Sequence, residues 1–142
     1  MINDLNRVTV MGHIGADAKQ NADNAPVIFS IATSSHWNDN AGDRQSRTEW
    51  HNVVVFGNLR KYALQLRRGD RVYVEGELRV NRYEKTVGNE IVKFRDVEIN
   101  ASEIDRIAAK AEVAAKAEEF TKIEEEIKPV VEAKTEGTRK KK

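Results

Sequence analysis

Arg47-Thr48-Glu49-Trp50-His51-Asn52-Val53-Val54-Val55-Phe56-Gly57 sets a large indole at the start of an apolar stretch and a phenyl ring at its end. Strand side chains alternate between faces with a period of two. Trp50, Asn52, Val54 and Phe56 therefore share one face, and His51, Val53 and Val55 share the other. One of these faces must pack into a core. If it is the face of Val53 and Val55, two aromatic rings stand outside a rigid sheet, roughly 20 Å apart at about 3.4 Å per residue. That arrangement suits stacking on nucleobases, because every base has a π-face and stacking needs no sequence code. Alternation alone leaves the choice open, since Val54 could equally make the ringed face the buried one.

Outward from this stretch the chain reads as β-rich as far as residue 101. Residues 5–12 form a first strand, broken by Gly12 and Gly15. Residues 27–33 form a second, with Val27, Phe29 and Ile31 on one face. The polar connection His36-Trp37-Asn38-Asp39-Asn40-Ala41-Gly42-Asp43-Arg44 is dense in turn formers. After the third strand, Leu59, Tyr62, Ala63 and Leu66 recur at helical spacing, and Gly69 is the stop. A fourth strand sets Val72, Val74, Leu78 and Val80 inward and Arg71, Tyr73, Glu75, Glu77 and Arg79 outward. It continues as a polar arm over residues 81–93 that turns at Gly88-Asn89, and a fifth strand covers 91–99. The order β-β-β-α-β-β predicts an all-β, five-stranded OB-fold, a small Greek-key barrel that binds oligonucleotides or oligosaccharides.

Composition shifts at Ser102. Ser102-Glu103-Ile104-Asp105 has the form of an N-cap with acids in the first turn. The stripe Ile104, Ile107, Ala108, Ala111, Ala115, Phe120, Ile123 and Ile127 predicts an amphipathic helix over 102–129, ended by Pro129, and then a flexible basic tail over 130–142. Three segments result: a barrel domain 1–101, the helix 102–129 and the tail 130–142.

The chain of 142 residues carries 24 basic and 23 acidic side chains, so net charge does not announce a polyanionic partner. Distribution says more. Within residues 1–102 ten of the cations are Arg and four are Lys, and Arg is the better fork for phosphate. No cysteine is present, which fits a reducing compartment. There is neither a long apolar span nor a basic, apolar leader, so the expected location is the cytoplasm, with no membrane partner. His13, His36 and His51 show no metal-ligand spacing with acids, and no P-loop or nucleophile elbow occurs. The expectation is a non-enzyme with no metal and no cofactor. Gly12-His13-Ile14-Gly15 has the GXXG form of a KH loop, but strands rather than helices flank it, and it reads as a turn.

Taken together, Asn6-Arg7-Val8, Gly12-x-x-Gly15-x-Asp17, Phe29-Ser30-Ile31-Ala32-Thr33-Ser34, Thr48-Glu49-Trp50-His51-x-Val53-Val54-x-Phe56-Gly57, Leu66-Arg67-Arg68-Gly69 and Val72-Tyr73-Val74-Glu75-Gly76-x-Leu78-Arg79 resemble the bacterial single-stranded DNA-binding proteins over residues 5–100. The resemblance implies a homotetramer of OB domains around which single-stranded DNA wraps, serving DNA replication, recombination and repair at the nucleoid. It implies that Trp37, Trp50, Phe56 and Tyr83 stack on bases. Tyr83 stands where the family usually has an indole, so it is a smaller surface. His51 and Tyr73 match positions near subunit interfaces, although a half-buried histidine reads equally well at 51.

Beside those rings, Arg7, Arg44, Arg47, Arg67, Arg68, Arg79, Arg82 and Lys85 are the candidates for phosphate contact. Any one of them alone reads as a solvated surface charge, and interleaving with aromatics is what distinguishes the set. The tail departs from the family, which commonly ends in a flexible linker and an acidic tip that recruits replication and repair proteins. Here the segment reads as helical and basic at its end. It supports a second expectation, an OB-scaffold protein-interaction or RNA-binding module whose helical tail recruits a partner.

Overall fold

The structure is a computed structural model and describes residues 3–112, 115–119 and 121–123. The chain divides into two compact units, Met1–Ala109 and Lys110–Lys142.

In the first unit β1 is Val8–Ile14, β2 Lys19–Gln20, β3 Val27–Asn38, β4 Arg44–Val55, β5 Arg71–Val87 and β6 Glu90–Ala108. They join in the order β1-β5-β6-β4-β3-β2, and a further β1–β3 pairing closes the ring. All pairings are antiparallel except β4–β6, which is parallel. The two-residue β2 adds only an edge to β3. The five long strands therefore form the closed OB-type barrel that the element order predicts.

Alternation explains the core. Val53 and Val55 of β4 are fully buried, as are Val27 and Ile31 of β3 and Val72 and Val74 of β5. Val10, Ile14, Phe29, Ile99, Ala101 and Ile104 complete the strand contribution. Each large apolar side chain removed from water contributes roughly 1.5–3 kcal/mol. Where strands cross at the barrel corners, side chains must vanish. A Cβ on Gly12 would lie 2.2 Å from the Ala32 carbonyl oxygen, and one on Gly76 would lie 2.1 Å from that of Asn100.

Three sequence expectations change. The helix before β5 is shorter than its apolar spacing suggests: a 3₁₀ turn, Gly57–Leu59, leads into the single turn α1, Arg60–Ala63. Ala63 and Leu66 are buried, but Tyr62 is not. Its hydroxyl accepts the backbone N–H of Arg106 at 2.9 Å. The region 36–44 is not one long loop. β3 and β4 stay paired out to Asn38 and Arg44, leaving only a short tip.

The barrel also does not end at 101, and no helix starts at Ser102. β6 pairs with β5 as far as Ala108. The register slips between Glu75 and Gly76, so Ser102 is an extra residue in the ladder and its hydroxyl donates to the Glu75 carbonyl at 3.1 Å. That bulge turns a period of two into a spacing of three between Ala101 and Ile104. Both side chains are buried, and the spacing imitates the helical one.

Helix does follow, over 110–112, 115–119 and 121–123, where the Thr121 hydroxyl donates back to the Ala117 carbonyl at 3.0 Å. Phe120, Ile127, the Pro129 stop and the tail 130–142 lie outside the described residues. No helix among the described residues is long and apolar enough to cross a membrane.

Candidate nucleic-acid interface

Because Val53 and Val55 are sealed in the barrel, the opposite face of β4 looks outward, with Val54 covered and the rings on either side of it bare. Trp50 is 61 % exposed and Phe56 is 52 % exposed. Each ring offers a bare π-face to a stacking partner. The Trp50 indole has a defined seat. A Cβ on Gly15 would come within 2.3 Å of its Cζ3 atom, so the ring covers the bare Gly15 Cα. Gly15 is itself tied to β3, its N–H donating to the Ser30 carbonyl at 3.0 Å. Two residues further on, the Asp17 carboxylate accepts the backbone N–H of Arg68 at 2.8 Å, which fixes the Arg67-Arg68 turn near the Trp50 seat.

Trp37 is half exposed and lies where β3 and β4 run past the barrel as a ribbon, opposite Gln45. Its place in the alternation is that of Phe29 and Ile31, whereas Trp50 lies opposite Ala32. The two indoles therefore leave opposite faces of this ribbon. Its tip is held by Asp39, whose carboxylate accepts the N–H groups of Ala41 (3.0 Å) and Asp43 (2.9 Å) and the Gln45 amide (2.9 Å). These bonds, that from Asp43 first, hold the Asp39 carboxyl below its ordinary 3.8.

A second ribbon is formed by β5 and β6. Gly88, at φ +64°, turns it, and pairs count outward from Val87–Glu90. Tyr83 thereby faces Phe94, the rings near-parallel with centroids 5.5 Å apart. The Lys85 ammonium lies 5.3 Å from the Tyr83 centroid and 5.7 Å from that of Phe94. The Asp96 carboxylate acting on the Tyr83 hydroxyl pushes its ionisation upward. In the continuous sheet β3-β4-β6-β5, this ring pair and Trp50 belong to the same outer face. Phe94 is a residue that sequence reading missed. The signal was available, because a two-residue turn at Gly88-Asn89 pairs it with Tyr83.

The cations divide. Arg7 holds Glu75 at 3.1 Å, Arg47 holds Glu49, and Arg79 holds Glu77 at 3.4 Å. The Arg67 guanidinium donates to the carbonyls of Leu64 (3.0 Å) and Leu66 (3.4 Å) and so caps the helical turn. Among the described residues no carboxylate pairs with Arg44, Arg68 or Arg82. Of the candidate cations, these three and Lys85 are open to an anion.

His51 and Tyr73 lie apart. His51 points to the core side of β4, its Nε2 within 2.8 Å of the Thr33 hydroxyl. Tyr73 lies on the outer face of β5 between Met11 and Asp105, and its hydroxyl donates to Glu75 at 2.9 Å. That carboxylate raises the tyrosine's ionisation.

Known proteins resemble this chain. The model of the single-strand binding protein family matches residues 5–107. The chain is 38 % identical over 116 residues to a single-stranded DNA-binding protein of Xanthomonas campestris pv. campestris, covering 79 % of this chain and 66 % of that protein. It is 35 % identical over 112 residues to one of Neisseria meningitidis, covering 76 % and 63 %. The chain thus spans two thirds or less of the length of the curated relatives it matches. Among solved structures, a Plasmodium falciparum SSB in complex with ssDNA superposes with a TM-score of 0.58 at 24 % identity, over 77 % of this chain and 98 % of that one. A small single-stranded DNA-binding protein from Streptomyces coelicolor gives 0.55 at 20 %, over 74 % and 95 %. At these identities the superpositions establish the fold.

Proposed function

The chain belongs to the single-strand binding protein family, and on that premise we propose that it binds single-stranded DNA without sequence preference and protects it during replication, recombination and repair. It acts by binding rather than by catalysis, as a homotetramer in the cytoplasm at the nucleoid. The observation that carries this reading is Trp50, bare on the outer sheet face while the valines behind it are fully buried. Trp50, Phe56, Trp37 and Tyr83 supply stacking surfaces, each worth about 1–3 kcal/mol per base. Arg44, Arg68, Arg82 and Lys85 neutralise phosphates directly. Arg7, Arg47 and Arg79 do so by exchanging a surface carboxylate for a phosphate, a small cost because exposed ion pairs contribute only about 0–1 kcal/mol. Arg67 steadies the turn that presents Arg68. His51 and Tyr73 belong to contacts between subunits.

The test is a titration with oligo-dT at several salt concentrations, with light scattering for the subunit count. Binding should weaken with salt at a slope near −0.7 per phosphate neutralised. A salt-independent affinity contradicts the reading. An RNA oligomer of matched length should compete poorly. Equal competition favours the RNA-binding module instead, and loss of a protein partner on removal of the helical unit would favour the adaptor.

A further inference from the structure

Between the bare rings of Trp50 and Phe56, the outer face of β4 carries Asn52, which is exposed, and Val54, which is covered. Asn52 is in register with Ser30 of β3 on one side and with Glu98 of β6 on the other, and Glu98 is opposite Arg79 of β5. Residues in register across a sheet share a face. A half-buried carboxylate therefore stands in the middle of the face that carries the rings. Its cross-strand counter-ion is engaged elsewhere, because the Arg79 guanidinium holds Glu77 at 3.4 Å. Among the described residues no cation pairs with Glu98.

On a surface for a polyanion this residue is out of place. Like charges repel, so a phosphate cannot settle over an unpaired carboxylate, and what covers Glu98 in a complex is a base. At about 3.4 Å per residue and about 4.8 Å between strands, Glu98 stands roughly 8 Å from Trp50 on the diagonal, near enough for a long side chain to meet a base lying next to one stacked on the indole. A carboxylate only accepts hydrogen bonds. Cytosine presents its N4 amine where thymine presents its O4 carbonyl. The amine satisfies the carboxylate. The carbonyl sets two acceptors against each other, and a desolvated group left without a partner costs more than a hydrogen bond contributes.

We propose that Glu98 gives the interface a base preference: its carboxylate accepts the exocyclic amine of a base beside the one stacked on Trp50, so that cytosine and other amine-bearing bases are held more tightly than thymine. The inference rests on the reading above that the chain binds single-stranded DNA. Stacking itself stays indifferent to sequence, and the preference is a bias laid over it. The neighbouring Asn52 amide both donates and accepts, so it fits either base, and the discrimination falls to the carboxylate.

The experiment measures the affinity of the full chain for oligo-dC and for oligo-dT of equal length, with thermal unfolding alongside to establish that each variant is folded. The ratio of the two affinities cancels whatever a variant does to both oligomers alike. Glu98→Gln keeps the length of the side chain but can donate to a carbonyl. It should shift the ratio roughly fivefold toward oligo-dT. Glu77→Gln removes the same charge from a carboxylate that Arg79 already holds, and should leave the ratio where it is. An unchanged ratio in Glu98→Gln, while Trp50→Ala weakens binding, overturns the preference and leaves the proposed function standing. An equal shift in Glu77→Gln also overturns it, because charge on the face rather than contact with a base would then be the cause. If the natural chain binds neither oligomer, the functional reading and this inference fall together.

Discussion

Ile31 and Trp37 lie on the same strand with the same place in its alternation, yet Ile31 is fully buried and Trp37 is 48 % exposed. Between them β3 leaves the barrel. Inside, the inward side chains of five strands meet and exclude water. Outside, the same alternation continues over a two-stranded ribbon with nothing to pack against. The β5–β6 ribbon repeats the pattern: Val72 and Val74 are sealed, while Leu78 and Val80 further along the same face are open. One rule of side-chain placement thus yields stability in one region and a reactive surface in the other, depending only on whether a second layer is present. Substitutions in the barrel should change folding, and substitutions on the outer face and ribbons should change binding.

The largest effect is expected where that division is most one-sided. Ile31→Ala removes a fully buried side chain and should cost about 2–5 kcal/mol of stability, read from urea unfolding. It should change binding only through the population folded. A loss of affinity at full folding would show that core and surface are coupled.

Trp50→Ala should do the reverse. Binding to oligo-dT should weaken by about 1–3 kcal/mol and the urea midpoint should barely move. A destabilisation as large as that of Ile31→Ala would show the indole to be part of the core.

Gly15→Ala sharpens the boundary further. The added Cβ would meet the Trp50 ring at 2.3 Å, but the obstacle is the far end of a side chain, so the indole can tilt and the barrel can persist. Affinity should fall by less than in Trp50→Ala, with a shift in tryptophan emission. Unchanged emission would mean that the ring does not rest there.

The smallest effect concerns pH. The Asp39 carboxyl is held below its ordinary 3.8 chiefly by the Asp43 N–H. Its contribution to the hairpin tip is therefore complete above that ordinary value and is lost as pH falls through the depressed one. The protection of the Ala41 and Asp43 amides against hydrogen exchange, relative to the intrinsic rate at each pH, should fall under acid while that of the barrel amides holds. Asp39→Asn should remove that pH dependence. Acid loosening of tip and barrel together would deny the ribbon its independence.

Sequence carried the barrel well because its evidence is local. The alternations through Val53–Val55 and Val72–Val74 and the turn at Gly88-Asn89 each act over a few residues. The family resemblance also pointed to Trp50, Phe56 and Tyr83, and Trp50 and Phe56 are exposed, where alternation alone could not decide which face of β4 is wet. What it missed depends on pairing between distant segments. The bulge at Ser102 makes β6 look helical in its spacing, and only the ladder to β5 keeps Ile104 in the core. Asn6 reads as a polar residue before a strand. Its side chain in fact exchanges two bonds with the Leu78 backbone, at 2.9 and 3.0 Å, and so acts as one more rung of the ladder. The carboxylate held by Arg7 is likewise visible only once the strands are laid side by side, whereas Glu49 and Glu77 lie two residues from Arg47 and Arg79 on their own strands.

The central claim is that bare rings on the barrel's outer face and on its ribbons receive unpaired bases. The most direct measurement follows the emission of Trp37 and Trp50 while the intact chain is titrated with oligo-dT and, separately, with a duplex of equal length. Quenching by the single strand alone is the predicted result. Silence with the single strand, or equal quenching by the duplex, would contradict it.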